Sequence, residues 1–291
     1  MTYQSDSLPP EFAEAFEAAS RRLPPLGSQI KFFNALGSTN DVASALASEA
    51  GAEGAIVIAD QQTAGRGRYG RKWFSPPSSG LYVSVVLMPF SAQADPGRAT
   101  SLLTLAAGVA LAEALESATG LRADIKWPND VVVGRRKLAG ILAESVGAAQ
   151  DLVPDTGGSH AGRRDVSTQH VMSVVVGYGI NVGATAYPPE LGDRATSVES
   201  ELGQPTNRAT LCVETLAALS RRYRDLLSGR FDAILDAWRG RAPSSTGRRV
   251  SWSTPSGPRS GVTAGIDERG ALLIRVGDRT DRIVAGEITW A

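Results

Sequence analysis

Residues 126–144 read Lys-Trp-Pro-Asn-Asp-Val-Val-Val-Gly-Arg-Arg-Lys-Leu-Ala-Gly-Ile-Leu-Ala-Glu. Two apolar runs, 131–133 and 138–143, flank Gly134 and read as strands separated by a turn. Pro128-Asn129-Asp130 is a second turn signal, because Asn and Asp side chains bond their own backbone in such loops. Lys137 opens the later strand and, taken alone, reads as a solvent-facing lysine. Just upstream, Leu102, Leu105, Val109 and Ala112 recur at helical spacing, which predicts a helix over 100–117 packed on a sheet and closed by Gly120.

The same alternation extends outward in both directions. Phe12, Ala15, Phe16 and Ala19 predict a helix over 11–22 that stops at Pro24-Pro25, and 30–33 reads as a strand. The run Ser38-Thr39-Asn40-Asp41 looks like an N-cap before an alanine-rich helix at about 41–49. Residues 55–59 form a compact apolar strand, and Leu81, Val83, Val85 and Leu87 alternate with Tyr82, Ser84 and Val86 in another. A further strand is expected at 171–177, a long helix at 211–227 and a shorter one at 231–238. From about Pro243 short β-branched segments alternate with turns, the spacing of a small barrel. The expected organisation is a catalytic domain at 30–242 between an extension at 1–29 and a C-terminal domain at 243–291. The polar stretch from Gly147 to His170 has no apolar periodicity and is expected to be a mobile hairpin insertion.

Thirty basic residues balance thirty acidic ones, so any pull on an anion must be local. One cysteine, Cys212, excludes an internal disulfide and is expected to be buried; with only His160 and His170 besides, it forms no zinc-type cluster. No signal-type N-terminus or run of about 18 uninterrupted apolar residues occurs, so a cytoplasmic location and no membrane association are expected.

Residues 61–73 place Arg66, Arg68, Arg71 and Lys72 within seven positions and no acid among them. Gly65, Gly67 and Gly70 imitate a dinucleotide fingerprint and a phosphate loop, but no helix can follow across Trp73 to Pro77, and Arg71-Lys72 stands where the phosphate loop needs Lys then Ser or Thr. What remains is a glycine-punctuated arginine loop able to wrap a phosphate or carboxylate, with Trp73 offering a face to a base. A solvated hairpin tip or a single-stranded nucleic-acid contact would use the same residues.

Together, the arginine loop, Lys126-Trp-Pro-Asn-Asp130 and Lys137-Leu-Ala-Gly140-Ile-Leu-Ala-Glu144 closely resemble the biotin–protein ligase family. Ser38-Thr39-Asn40, Gln61 and Gly177-Tyr-Gly179-Ile-Asn181-Val match further family elements, so the resemblance spans roughly 30–185. It implies an α+β fold, a mixed sheet flanked by helices, with a small SH3-like barrel at the end. It implies an enzyme that activates biotin with ATP, magnesium assisting, and passes the biotinyl group to a lysine of a biotin carboxyl carrier domain. Ser38, Thr39, Asn40 and Gln61 are then expected at the biotin head, with Gly65, Arg66, Gly67, Gly140, Gly177 and Gly179 around the molecule. Arg66 to Arg68 are expected to line biotin's carboxylate and the phosphate, and Lys137 to meet the developing negative charge. Arg71, Trp73, Asn129, Asp130 and Asn181 are expected on the nucleotide side. Asp130 is also the candidate magnesium ligand and the candidate carboxylate for steering the acceptor lysine. Only about 29 residues precede the first expected strand, so no DNA-binding role is expected. A lipoate or octanoate ligase, and a non-enzymatic nucleic-acid-binding module, are the rival readings.

A loop that closes over a hydrolysable acyl adenylate gains function from changing its order. Residues 65–72 are therefore expected to lose protease sensitivity when biotinyl-adenylate is added; equal cleavage with and without it contradicts this.

Overall fold

The computed structural model describes residues 3–147, 173–184, 187–254 and 257–290. Beyond Gly147, the expected hairpin insertion and both histidines lie outside the described residues.

The chain opens with helix α1 (Pro10–Ala19), whose first position takes proline because no backbone donor is needed there, and which buries Phe12, Phe16 and Ala19. Strand β1 (Ile30–Leu36) leads into α2 (Thr39–Leu46). Ser38 occupies the N-cap position but its side chain makes no capping bond, and the helix starts and stops earlier than its alanine pattern predicts. Strands β2 (Ile56–Gln62) and β3 (Gly80–Leu87) bracket the arginine loop. Helix α3 (Pro96–Thr119) begins at Asp95, whose carboxylate accepts from the Arg98 amide at 2.8 Å, and ends at Gly120 with φ 74°. Strands β4 (Asp124–Lys126), β5 (Asp130–Val133), β6 (Arg136–Val146) and β7 (Ser173–Asn181) follow, then helices α4 (Val198–Leu202), α5 (Arg208–Leu227) and α6 (Phe231–Arg239).

Seven strands form one sheet in the order β1-β2-β3-β7-β6-β5-β4; β1 and β2 are parallel and every other pairing is antiparallel. This is the mixed sheet expected. Its faces differ because side chains alternate along each strand. On one face Leu81, Val83, Val85 and Leu87 of β3 and Val174, Val176, Tyr178 and Ile180 of β7 meet α1, α3, α5 and α6 in the main core. On the other, Val57, Val86 and Val175 pack under Val42, Ala43 and Leu46 of α2. Helix α2 covers only part of that second face.

Helix α3 is long and apolar enough to cross a membrane by length and composition, but 72% of its apolar window is buried inside the protein. It is the central core helix, packed on the sheet with Gly108 facing Ile125 and Ile141. Cys212 is fully buried in the same core, which pushes its thiol up to about 12 and removes it from chemistry at neutral pH.

After a single turn at Pro243–Ser245, strands β8 (Thr246–Thr254), β9 (Gly257–Ile266), β10 (Leu272–Val276), β11 (Arg279–Ile283) and β12 (Ile288–Trp290) form an antiparallel sheet in the order β11-β10-β9-β8-β12. Val250, Trp252, Leu272 and Ile274 join the same apolar cluster as α3. Polar contacts fix this docking. The buried Trp127 indole donates to the Gly270 carbonyl at 2.9 Å, and Arg98 donates to the Glu268 carbonyl at 2.8 Å. Gly270 itself has φ 80°, and a Cβ there would come within 2.7 Å of Leu105.

Losing a buried hydrogen bond and leaving its carbonyl unpaired costs about 1–3 kcal/mol. Trp127→Phe should destabilise the protein by that amount in urea unfolding; an unchanged midpoint would mean that the bond does not hold the C-terminal sheet in place.

Candidate active site

The uncovered part of the α2 face is the site. The β6–β7 register sets Gly140 opposite Gly179 and Leu142 opposite Gly177, while β3 sets Tyr82 beside Gly179 and Ser84 beside Gly177. On the outer side Asp130 of β5 stands opposite Gly140. Three neighbouring positions of this face, Gly140, Gly177 and Gly179, thus carry no side chain, beside Tyr82, Ser84 and Leu142, which do. An ideal Cβ at Gly177 would fall 1.9 Å from Asn40 Oδ1, and one at Gly179 would fall 2.3 Å from Trp73 Nε1. Above this floor lies a cavity of about 690 Å³.

At one end, the α2 N-terminus and β2 meet in a polar network. The Thr39 amide and hydroxyl donate to Gln62 Oε1 at 2.9 and 3.1 Å, and Gln62 Nε2 donates to Ser75 Oγ at 3.0 Å. Ser84 Oγ lies 2.7 Å from Thr39 Oγ1 and 2.6 Å from Asn40 Oδ1, and Asn40 Nδ2 donates to Glu144 at 2.6 Å. Ser38, free of capping duty, lines the cavity beside them.

The sequence placed Gln61 in this network, and that assignment needs correction: Gln62 lines the cavity and Gln61 does not. Alternation counted from Val57 points to Gln61. However, β2 leaves β3 after the Ala59–Tyr82 pair, and the Gln62 amide turns to the Ser75 carbonyl at 3.2 Å, so the count fails past Ala59. Gly65 is the other expected residue that does not line the cavity. Its role is in the loop: its carbonyl accepts from the Trp73 amide at 2.8 Å, and Trp73 O lies 2.6 Å from where a Cβ on it would stand.

The arginine loop is a hairpin, not a phosphate loop followed by a helix. Arg66 bridges Lys72, the Gly67 amide donates to the Arg71 carbonyl at 2.7 Å, and Tyr69 and Gly70 turn the tip with φ 58° and 71°. Arg66 pairs with Asp41 at 2.6 Å and Glu144 at 3.0 Å. Arg68 donates to Asn129 Oδ1 at 3.1 Å and lies over the Tyr69 ring, while Arg71 pairs with Glu287 of the C-terminal region. These groups are partly exposed, where an ion pair contributes about 0–1 kcal/mol, so an incoming anion can replace the partners. Trp73 packs against Gly140 and Gly179 with the Lys137 ammonium 5.2 Å from its ring centroid, and its buried indole Nε1 has no hydrogen-bond partner among the described residues.

At the opposite end Lys137 pairs with Asp130 at 2.6 Å. Asn129 donates to the Ile141 carbonyl at 2.8 Å and Asn181 to the Thr196 carbonyl at 3.0 Å, so both amides are fixed at the rim. The cavity is lined by eight Lys and Arg side chains against two Asp and Glu, in a protein of zero net charge. Lys126 shows the consequence. Burial holds its ammonium below the usual lysine range, the charges of Lys137, Arg194 and Arg135 act in the same direction, and Asp130 opposes them.

The arrangement is an anion-binding trough with a neutral hydrogen-bonding end and a cationic end. The biotin/lipoate A/B protein ligase family model matches residues 32–153. The bifunctional ligase/repressor BirA of Bacillus subtilis is 34% identical over 265 residues, covering 90% of this chain and 74% of that protein. The chain belongs to the biotin–protein ligase family. Its relative in Mycobacterium tuberculosis, a biotin–[acetyl-CoA-carboxylase] ligase, is 33% identical over 87% of this chain and 85% of its own. The solved biotin protein ligase from Aquifex aeolicus, in complex with biotin and ATP, is 27% identical, covers 91% of this chain and 99% of its own, and superposes with a TM-score of 0.71. Membership makes the protein a ligase.

Several lining residues were not anticipated from sequence: Gln62, Lys126, Arg135, Arg194 and the segment Gly286–Trp290. Lys126 sits inside a motif already singled out and could have been included. The others come from separate turns and from the last strand, and only the folded chain brings them together.

Gly177→Ala should displace Asn40, break its bonds to Ser84 and Glu144, and weaken biotin binding by tenfold or more in titration calorimetry while circular dichroism keeps the native spectrum. Unchanged affinity would show that this floor position is not used.

Proposed function

We propose that the protein activates biotin with ATP to biotinyl-5′-adenylate and transfers the biotinyl group to a lysine of a biotin carboxyl carrier domain of a biotin-dependent carboxylase. The observation carrying this reading is the polarity of the trough: a neutral Ser38–Thr39–Gln62 end suited to the ureido head, a glycine floor that leaves room for the fused rings, and a cationic end suited to phosphate. The lone buried Cys212 fits a reducing, cytoplasmic setting.

In the first step the biotin carboxylate attacks the α-phosphorus of ATP and pyrophosphate leaves. Such chemistry is driven by positioning and charge neutralisation, so the trough needs no histidine. Arg68 and Lys137 face the α-phosphate, with Arg68 held toward Asn129 and Lys137 toward Asp130. Arg66 guides the carboxylate after exchanging Asp41 and Glu144 for it. Arg71, Trp73 and Asn181 serve the nucleotide.

Among the described residues, Asp130 and Glu287 are the only carboxylates lining the cavity, and no three His, Cys, Asp or Glu side chains group together. This donor set fits a magnesium ion carried on ATP's phosphates, which needs one or two protein carboxylates, and Asp130 would hold it. The ion would supply neutralisation of phosphate charge.

In the second step the acceptor lysine must attack as the neutral amine, of which only about 0.04% is present at pH 7 for an ordinary lysine. Asp130, at the rim and already holding one ammonium, steers the second and receives its proton. Asp130→Asn should slow single-turnover transfer from preformed biotinyl-adenylate by tenfold or more, and an unchanged rate removes Asp130 from that step.

ATP–pyrophosphate exchange in the presence of biotin, of lipoate and of neither acid tests the whole reading. Exchange with biotin alone is expected; exchange with lipoate favours the sister activity, and none with either acid contradicts the ligase reading.

A further inference from the structure

Resting on the adenylating reading above, we propose that Lys126, Arg135 and Arg194 form a clamp for the β- and γ-phosphates of ATP and for the pyrophosphate that departs.

Charge pairing inside the cavity is the first ground. Both lining carboxylates are committed, Asp130 to Lys137 and Glu287 to Arg71. Arg66 is held by two carboxylates from outside the lining, and Arg68 by Asn129 and the Tyr69 hydroxyl. Lys126, Arg135 and Arg194 have no carboxylate within ion-pair distance among the described residues. Three cations with no carboxylate partner, one of them 5.6 Å from the Trp290 ring centroid, converge on one cavity and repel one another, and burial of Lys126 adds to that cost. A polyanion removes the repulsion; a ligand with a single negative charge, already served by Arg68 and Lys137, does not.

Placement is the second ground. Lys126 ends β4 and stands opposite Asp130 in the register. Arg135 sits in the turn joining β5 and β6, next to Gly134 with φ 60°. Arg194 is brought in by the backbone: its carbonyl accepts from the Lys137 amide at 2.8 Å, and Ala195 bridges Lys137. Lys126 and Arg135 therefore lie on the β5–β4 side of the Lys137–Asp130 pair, while Arg194, whose backbone runs along the β7-side edge of Lys137, brings its charge close enough to act on Lys126. With neighbouring strands about 4.8 Å apart, the head-binding end at β2 is about 14 Å from β6 and about 24 Å from β4. A ligand whose head lies at β2 and whose α-phosphate lies at Lys137 of β6 projects its remaining phosphates toward β5 and β4, where Lys126 and Arg135 stand and Arg194 reaches in from beside Lys137.

The chemistry agrees with this placement. As a carboxylate oxygen bonds to the α-phosphorus, the bond from that phosphorus to the bridging oxygen of the β-phosphate breaks, and pyrophosphate leaves with the bonding pair. No proton need be transferred, and negative charge grows on the leaving group. Lys126, Arg135 and Arg194 neutralise that growing charge and are silent once biotinyl-adenylate, which lacks both terminal phosphates, is formed.

Arg135 and Arg194 are solvent-exposed, so Arg135→Ala, Arg194→Ala and the double variant should fold, and biotin calorimetry on the same samples reports an intact head site. Biotin-dependent ATP–pyrophosphate exchange should fall with a KM for pyrophosphate raised tenfold or more, largest in the double variant and partly restored by Arg135→Lys and Arg194→Lys. Single-turnover transfer from preformed biotinyl-adenylate to the carrier is measured beside it, and the loss in exchange should exceed the loss in transfer at least tenfold. Equal losses in both would overturn the clamp in favour of recognition of the carrier's surface. Unchanged exchange in the variants would overturn it alone, whereas absence of biotin-dependent exchange in the unmodified protein would remove the ligase reading and the clamp together.

Discussion

Everything at the site depends on the absence of side chains at Gly140, Gly177 and Gly179. The antiparallel register of β6, β7 and β3 gathers these positions in the middle of one sheet face. A Cβ at any of the three would press on a neighbouring side chain, so in a closely packed interior these glycines set how near Asn40, Trp73 and Lys137 come to the sheet. Asn40 and Trp73 use some of the room, approaching closer to Gly177 and Gly179 than any Cβ would permit, and the rest remains as the cavity. The cost of glycine in a strand is loss of packing and of backbone restraint. It is offset by burial on the opposite face, where Val174, Val176, Tyr178 and Ile180 of β7 pack into the main core.

Around that floor the protein separates two chemistries by distance along the sheet. Neutral donors and acceptors cluster where α2 meets β2, and cations cluster where β4, β5 and β6 meet. Because the protein as a whole is neutral, the imbalance in the cavity is a local arrangement and its field is focused there. Arg71 and Glu287 tie the arginine hairpin to the C-terminal region, and Trp290 lies over Lys126 with its ring centroid 5.6 Å from the ammonium. The C-terminal sheet is therefore part of the wall of the site as well as a docked neighbour of α3.

Much of this was legible in the sequence where a local pattern carries the physics. The apolar runs of β3 and β7 mark strands buried on both faces, and Gly120 marks the end of α3. The motifs containing Arg68, Asn129, Asp130, Lys137 and the three glycines were quoted together, and the fold brings them to one cavity. What failed did so where geometry depends on non-local pairing. Gln61 matches the family's biotin-site glutamine in sequence, and Gln62 takes the place in the cavity because β2 leaves β3 after Ala59 and the Gln62 amide turns to the Ser75 carbonyl. Strand β4 and helix α4, three and five residues long, carry too little periodicity to be seen. Arg135 and Arg194 lie in unrelated turns, and their meeting at Lys137 follows from a backbone bond that no spacing rule encodes.

The account's central claim is that one ligand spans the glycine floor from the Thr39–Gln62 network to Lys137. A crystal structure with a non-hydrolysable biotinyl-adenylate analogue tests it most directly. The account predicts the ureido group within hydrogen-bonding distance of Ser38, Thr39 or Gln62, the ring against Gly177 and Gly179, and the phosphate between Arg68 and Lys137. An analogue bound with its phosphate remote from Lys137, or with the glycine floor still covered and unused, would contradict it.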